Sequence, residues 1–169
     1  MKMVPTKVIL ALPIVVTSTL SATAANQGTL PNGAIPLTPA EAQAFFVSHS
    51  VKYDSPDGVA RYTWTTDGKA LGTWEGKNGD QLPGDGTWTS SGNEFCYTVD
   101  FYSANNGKSV NHRAVCMQLS KAGRAIWLKN TLDQPQYQGD IYPSAGAHLV
   151  RGDQVSARYA KFKSKLPPS

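Results

Sequence analysis

Two neighbouring segments of the chain alternate between hydrophobic and polar residues. The alternation covers residues 94–102 and returns in the second half of residues 110–119. A period of two places the hydrophobic side chains of a strand on one face. Residues 103–109 between them are rich in Asn, Ser and Gly, which favour turns. The two segments predict a β-hairpin with one face in the core, made of Phe95, Tyr97, Val99, Phe101, Val115, Met117 and Leu119.

Strand-like alternation continues through most of the chain after residue 51. Residues 59–65 and 69–75 flank Asp67-Gly68, a pair that suits a two-residue hairpin turn. Turn residues recur at regular intervals beyond it. This pattern is typical of an antiparallel meander, and it predicts an all-β domain of six to eight strands in a small barrel or sandwich.

The C-terminal third continues the pattern less regularly. Residues 124–128 predict a strand, and residues 130–143 predict a long connection with a short strand near Tyr137. Residues 148–151 and 155–159 flank a Gly-Asp pair and therefore predict a last hairpin.

One short segment has helical signals instead. Thr38 can cap a helix, Pro39 suits the first helical position, and Glu41 stands where a capping box needs an acceptor. We expect this N-terminal helix to run to about Ser48 and to cover one end of the sheet with Ala42, Phe45 and Phe46.

The first residues have the features of a secretory signal peptide. Lys2 and Lys7 supply a positive start, residues 8–20 form an apolar run, and residues 22–24 read Ala-Thr-Ala, a small-x-small cleavage site. A transmembrane anchor is the weaker alternative, because Pro13 interrupts the run and it falls short of the roughly 20 apolar residues that span a bilayer.

These features divide the chain into four parts. We expect a signal peptide in residues 1–24, a flexible arm in residues 25–37, a single β domain in residues 38–160 and a basic tail in residues 161–169. Cleavage would leave a periplasmic or secreted protein that does not span the membrane. It would also lower the formal charge from +4 to +2 by removing Lys2 and Lys7. The remaining basic residues are scattered, so no nucleic-acid partner is predicted.

The chain has two cysteines, Cys96 and Cys116, and an exported protein is expected to join them. If they face each other in the hairpin, the turn centres on Asn106 and leaves residues 105–107 as a three-residue loop. Gly107 then stands where such a loop needs a left-handed residue. The disulfide would stabilise the fold by about 3 kcal/mol.

The same register places Asp100 directly across from His112 on the other face of the hairpin. A carboxylate beside an imidazole can support proton chemistry, because it orients the ring. A solvated cross-strand ion pair is the simpler interpretation. The chain offers no Gly-x-Ser-x-Gly motif and no free cysteine to act as nucleophile.

Metal and cofactor sites are not indicated either. His49, His112 and His148 are far apart in the sequence, and the cysteines are expected to be bonded to each other. We therefore predict no metal, no cofactor and no enzymatic activity.

A short repeat, Gly-Thr-Trp, ends at Trp74 and again at Trp88. Its spacing matches one hairpin unit, so the two tryptophans should occupy equivalent places on neighbouring strands. Packing in or beside the core is the favoured interpretation. The alternative is an aromatic platform for a ligand.

Several of these motifs together resemble the exported bacterial family catalogued as domain of unknown function 995. They are Leu37-Thr-Pro-Ala-Glu41, Tyr62-x-Trp-x-x-Asp-Gly68, the two Gly-Thr-Trp repeats, Glu94-Phe-Cys-Tyr97 and the second cysteine at position 116. The resemblance spans residues 37–128. It implies a single-domain exported β protein of Gram-negative bacteria and implies no activity, cofactor or catalytic residue.

Three functions follow, in decreasing order of support. The first is a non-enzymatic binding or cell-envelope protein that meets a glycan, peptide or protein through Trp74, Trp88 or the Asp100 and His112 pair. The second is a periplasmic inhibitor of a protease or other hydrolase, which would insert the arm before Thr38 into its target. The third is an enzyme that uses the Asp/His pair.

Overall fold

The computed structural model describes residues 27–131, 137–139 and 147–168. The predicted signal peptide and most of the predicted connection at residues 130–143 lie outside these residues. The described helices are α1 (Pro39–Val47) and α2 (Ser156–Lys163). The described strands are β1 (Gln27–Gly28), β2 (Ile35–Pro36), β3 (His49–Ser55), β4 (Gly58–Trp64), β5 (Lys69–Gly76), β6 (Gln81–Ser91), β7 (Glu94–Tyr102), β8 (Ser109–Ala122), β9 (Ala125–Asn130), β10 (Tyr137–Gly139) and β11 (Ala147–Arg151).

The described strands form one antiparallel sheet that curls into a half-barrel. Their order is β1-β10-β9-β8-β7-β6-β5-β4-β3-β11, and β2 adds to β8. Each strand from β3 to β9 pairs with the next, as a meander requires. The all-β antiparallel prediction is therefore confirmed, and among the described strands eight have five or more residues.

The predicted register of the β7–β8 hairpin is confirmed. Cys96 pairs with Cys116, and Asp100 pairs with His112. A disulfide joins the two cysteines, whose Cα atoms are 4.1 Å apart. The hairpin at the centre of the sheet is thus closed covalently.

The loop of this hairpin is longer than predicted. A bulge after Phe101 shifts the register, so that Tyr102 pairs with Ser109. The chain then turns through residues 103–108 instead of a three-residue loop. Gly107 adopts the predicted left-handed conformation, with φ of 66°. Its amide donates to the Ser103 carbonyl at 2.8 Å, and this bond stabilises the wider turn.

The β4–β5 turn also differs from the prediction by one residue. Thr65 donates its amide to the Lys69 carbonyl at 2.9 Å, which leaves three residues, 66–68, in the loop. Gly68 occupies the left-handed position, with φ of 83°. Trp64 pairs with Ala70, and this register keeps the Trp64 indole on the core side of the sheet. The same register leaves a loop of three residues instead of two.

The core lies on the face of the sheet that carries the predicted hairpin residues, here called the inner face. Phe95, Val99, Met117 and Leu119 are all buried on it. Helix α1 covers this face at one end. Its Phe46 stacks on Phe95, with ring centroids 4.0 Å apart.

The start of α1 follows the sequence signals. The Glu41 amide donates to Thr38 Oγ1 at 3.3 Å, and the Thr38 amide donates to Glu41 Oε2 at 2.9 Å. Hydrogen bonds from Lys121 and Thr38 lower the pKa of Glu41 to about 2. The predicted capping box is confirmed.

The predicted last hairpin is wrong, because Val155 is the N-cap of α2 and residues 156–159 form the first part of that helix. The Asp153 carboxylate accepts from the amides of Val155 at 2.8 Å and Ser156 at 3.0 Å, in the turn that leads into the helix. The apolar side chains of Val155 and Phe162 are buried beneath it. Helix α2 packs on β5 and β6, on the outer face of the sheet opposite the core.

Residues 25–37 were expected to form a flexible arm. In the structure, the described part of this segment, residues 27–37, pairs with the sheet. β1 pairs with β10, and β2 pairs with β8. Leu37 is buried in the core, and its amide donates to the Leu119 carbonyl at 3.0 Å. Burial of Leu37 explains why this proline-containing segment is ordered against β8.

Candidate functional site

Asp100 and His112 meet on the outer face, as their register predicted. Asp100 Oδ1 lies 2.8 Å from His112 Nδ1. Their side chains are 41% and 58% exposed, respectively, so the pair faces water. A role in ligand contact stays a prediction, and water around both groups weakens their interaction.

Trp74 and Trp88 lie on the inner face, where both are half-buried and pack against the core. Trp88 stacks on Phe95 with ring centroids 5.1 Å apart, and its indole nitrogen donates to the Thr65 carbonyl at 2.8 Å. Trp74 packs beside Gly58, where its ring would collide with any added Cβ. The two rings thus serve packing, and only their remaining exposed edges are available to a partner.

A concave site formed by described residues lies on the outer face, between α2 and the end of the β7–β8 hairpin. We call it the outer cleft. Its volume is about 640 Å³, within the usual range for small-molecule sites. It is lined by Pro83, Asp85, Tyr102, Asn106, Gly107, Tyr159, Lys163, Leu166, Pro167 and Pro168.

A carboxylate with three hydrogen-bond donors lies in the outer cleft. Tyr102 donates its hydroxyl to Asp85 Oδ1 at 3.1 Å. Lys163 Nζ donates to Asp85 Oδ2 at 2.8 Å, and the Tyr159 hydroxyl donates to the same oxygen. Lys163 also donates to the Tyr159 hydroxyl oxygen. The four side chains, here called the Asp85 cluster, come from β6, β7 and α2.

The cluster holds its two charged groups in their ionised forms. Burial acts to raise the pKa of Asp85, but the hydrogen bonds from Lys163, Tyr159 and Tyr102 outweigh it and lower the pKa below its ordinary value. The hydrogen bond to Asp85 raises the pKa of Lys163 above its ordinary value. Burial, followed by the hydrogen bond to Asp85, raises the pKa of both tyrosines. All four groups therefore keep one protonation state around neutral pH.

Helix α2 is positioned over the sheet by a second ion-pair group. Glu75 Oε1 accepts from Arg61 and from Arg158, each at 2.8 Å. Phe162 is 3% exposed and anchors the same helix by apolar burial. These contacts hold α2 against the sheet in one orientation, and so place Tyr159 and Lys163 over Asp85.

Sequence reasoning did not find the Asp85 cluster. Lys163 is 78 residues from Asp85 along the chain, and Tyr159 is 74 residues away. The usable signal was the helical spacing of Val155, Tyr159 and Phe162, but residues 155–159 were interpreted as a strand and Phe162 as part of the basic tail. Once these residues are helical, Tyr159 and Lys163 lie one turn apart on one side.

A smaller depression lies over the disulfide. Its volume is about 130 Å³, and Cys96, Cys116, Thr87 and Thr98 are among its lining residues. This is below the roughly 300 Å³ at which ligand pockets usually begin. In the part of the chain that the structure describes, no three His, Cys, Asp or Glu side chains are grouped as a metal site.

A family model described as a protein of unknown function, DUF995, matches residues 12–155. The chain belongs to the DUF995 family. The match extends beyond the residues 37–128 on which the resemblance rested. Comparison with curated proteins and with solved structures finds no match.

The DUF995 match ends directly before α2. It includes Asp85 and Tyr102, whereas Tyr159 and Lys163 follow it. The outer cleft thus combines residues inside the DUF995 match with residues that follow it. Among the described residues, no helix is long and apolar enough to span a bilayer.

Proposed function

We propose that this DUF995 protein is an exported, non-enzymatic binding protein of the periplasm or the extracellular medium, and that its ligand occupies the outer cleft. The observation that carries the proposal is the Asp85 cluster, a fixed set of polar groups inside a concave site of about 640 Å³. Convergent polar groups in a partly apolar cleft are typical of small-ligand sites.

Two features support export. The start of the sequence has a basic segment, an apolar run and a small-residue cleavage site. Both cysteines of the chain are joined in one disulfide. Disulfides of this structural kind persist in oxidising compartments and are rare in the cytosol.

The electrostatics of the cleft support binding over catalysis. A general acid or base works best when its pKa lies near the operating pH. The hydrogen bond between Lys163 and Asp85 lowers the pKa of Asp85 and raises that of Lys163, so both values move away from neutral pH. Such groups hold a hydrogen-bond pattern constant, which is what selective binding requires.

The inhibitor alternative loses part of its motivation. It needed a free arm before Thr38, but residues 35–37 are bound to β8 through strand pairing and the burial of Leu37. The enzyme alternative rests on Asp100 and His112, which are exposed and outside the outer cleft. We therefore place both behind ligand binding.

Export is tested by expressing the full chain in a Gram-negative host and fractionating the cells. We expect a shortened, oxidised form that begins near Ala25 in the periplasm or the medium. Deleting residues 2–24 should leave the protein in the cytoplasm. Full-length protein that stays in the cytoplasm with reduced cysteines would contradict export.

Ligand binding in the cleft is tested by amide NMR of the mature chain against a library of small fragments. We expect the hits to shift resonances of Asp85, Tyr102 and α2. Tyr159→Ala should remove these shifts. Tyr53→Ala is the matched control, because Tyr53 is 40% exposed on the opposite face of the sheet. Hits confined to the inner face would overturn the assignment of the cleft.

A further inference from the structure

The hydrogen-bonding capacity that remains in the outer cleft restricts the ligand. The Tyr102 hydroxyl uses its hydrogen to reach Asp85 at 3.1 Å. Among the described residues, nothing donates to the Tyr102 oxygen in return. A tyrosine hydroxyl that has given its hydrogen to a carboxylate can only accept from a ligand. Tyr102 therefore presents an acceptor to the cleft.

Tyr159 and Lys163 divide their capacity in a similar way. The Tyr159 hydroxyl donates to Asp85 and accepts from Lys163. Lys163 gives one hydrogen to Asp85 and one to Tyr159, so one of its three donors remains. The cleft thus offers hydroxyl acceptors together with a single ammonium donor, all on side chains that bond to Asp85.

The charge of the cluster is balanced. Asp85 and Lys163 pair at 2.8 Å, and both keep their charges at neutral pH. A charged ligand could bind Lys163 or Asp85 only by competing with the other member of this ion pair. A neutral ligand would bind without breaking it, and this difference favours an uncharged molecule.

Apolar surface surrounds these polar groups. The accessible part comes from half-buried Leu166 and from exposed Pro167 and Pro168, which lie beside the β7–β8 loop. Pro167 lies against the position of Gly107, within 3.6 Å of where a Cβ would be. A ligand here needs C–H surface next to hydroxyl-type groups.

We propose that the outer cleft binds a neutral carbohydrate, whose hydroxyl groups donate to Tyr102 and accept from Lys163 while its C–H face packs on Pro167 and Pro168. Each sugar hydroxyl is both a donor and an acceptor, so it matches a site that presents both. This inference deepens the proposed function and depends on it.

A proline-rich peptide fits the same cleft less well. Such a peptide offers mainly backbone carbonyl acceptors and few N–H donors. The hydroxyls of Tyr102 and Tyr159 are already committed to Asp85 as donors. A carbonyl-rich ligand would leave the cleft's acceptors desolvated and unpaired, which is costly.

The test titrates the mature chain, followed by amide NMR, with maltotetraose, cellotetraose and the tetramer of N-acetylglucosamine at millimolar concentration. We expect at least one sugar to shift resonances of Asp85, Tyr102 and Lys163. Tyr102→Phe should weaken that binding about tenfold, the loss of one hydrogen bond in a buried contact. Tyr53→Phe, the same change outside the cleft, should leave it unaltered.

A second measurement changes the ligand and leaves the protein intact. The O-methylated form of the sugar that binds keeps its acceptors but cannot donate to Tyr102, so it should not bind. Equal binding of both forms would overturn the inference, as would an unchanged affinity in a folded Tyr102→Phe variant.

The result also separates this inference from the proposed function. If fragments bind in the cleft but none of the sugars does, or if decaproline binds there instead, the carbohydrate inference is wrong and the binding site stands. If fragments and sugars bind only outside the outer cleft, both the carbohydrate inference and the proposed binding site are wrong.

Discussion

Asp85 of β6 lies directly opposite Asp100 of β7, and each carboxylate has its own side-chain partner on the outer face. Lys163 reaches Asp85 at 2.8 Å, and His112 lies 2.8 Å from Asp100. Two like charges directly opposite each other destabilise a strand pair. The sheet therefore depends on α2, which brings Lys163, to balance a repulsion that the meander itself creates.

We expect Asp85→Asn to lower the free energy of unfolding by about 1 kcal/mol at neutral pH, since Asp85 loses a charge-assisted hydrogen bond but is 32% exposed. The pKa of Asp85 is lowered in the folded state from its ordinary 3.8. Its stabilisation is therefore present above that value and disappears as the pH falls through the lower, folded pKa. Urea unfolding at several pH values measures the difference.

Asp57→Asn provides the control for this experiment. Asp57 is exposed in the β3–β4 turn, so its replacement should change stability little. If the difference in free energy of unfolding between the Asp85 variant and the original chain were as large at strongly acidic pH as at neutral pH, the charge of Asp85 would not be its cause.

Removing the disulfide should destabilise the fold substantially. The bond closes a sequence separation of 20 residues, and we expect Cys96→Ala with Cys116→Ala to cost about 3 kcal/mol in the free energy of unfolding. A reducing agent should destabilise the original chain equally and leave the double variant unaffected. An original chain that is indifferent to reduction would contradict this prediction.

The Gly-Thr-Trp repeat has a steric reason at its second glycine. A Cβ at Gly86 would lie 2.0 Å from the Thr98 carbonyl oxygen of β7. Since that oxygen belongs to the backbone, the strands would have to separate, and we expect Gly86→Ala to destabilise by about 3 kcal/mol. Thermal and urea unfolding measure the loss.

Gly123→Ala is a suitable comparison for this variant. Gly123 has φ of 60° and nothing within 4 Å of an added Cβ, so only left-handed strain of about 1 kcal/mol is expected. Equal losses for the two alanine variants would show that close strand approach does not explain the repeat.

The parts of the fold that the sequence predicted correctly depend on local patterns. Thr38 and Glu41 are three residues apart, and the capping box forms between them. Cys96 and Cys116 belong to one hairpin, where alternation and the bond require the same register. Each such prediction involved residues that are near in sequence or joined by a bond.

The parts that were missed depend on contacts between distant segments. Residues 155–159 were predicted as strand because Gly-Asp before them also suits a hairpin turn. In the structure Asp153 instead accepts hydrogen bonds at the start of α2; those from Ser156 and Val155 outweigh burial and lower the pKa of this carboxyl. The Asp85 cluster is likewise assembled by α2 docking, which no short motif encodes.

The helical assignment of residues 156–163 can be tested with proline at two exposed alanines. Ala160 lies inside α2, where proline removes a backbone hydrogen bond and collides with the preceding turn, so Ala160→Pro should cost about 3 kcal/mol. Ala157 lies in the first turn, where proline is tolerated, and Ala157→Pro should cost much less. In a strand the two substitutions would have no such order. Urea unfolding of both variants therefore distinguishes the helix from the hairpin, and a larger loss for Ala157→Pro would refute the helix.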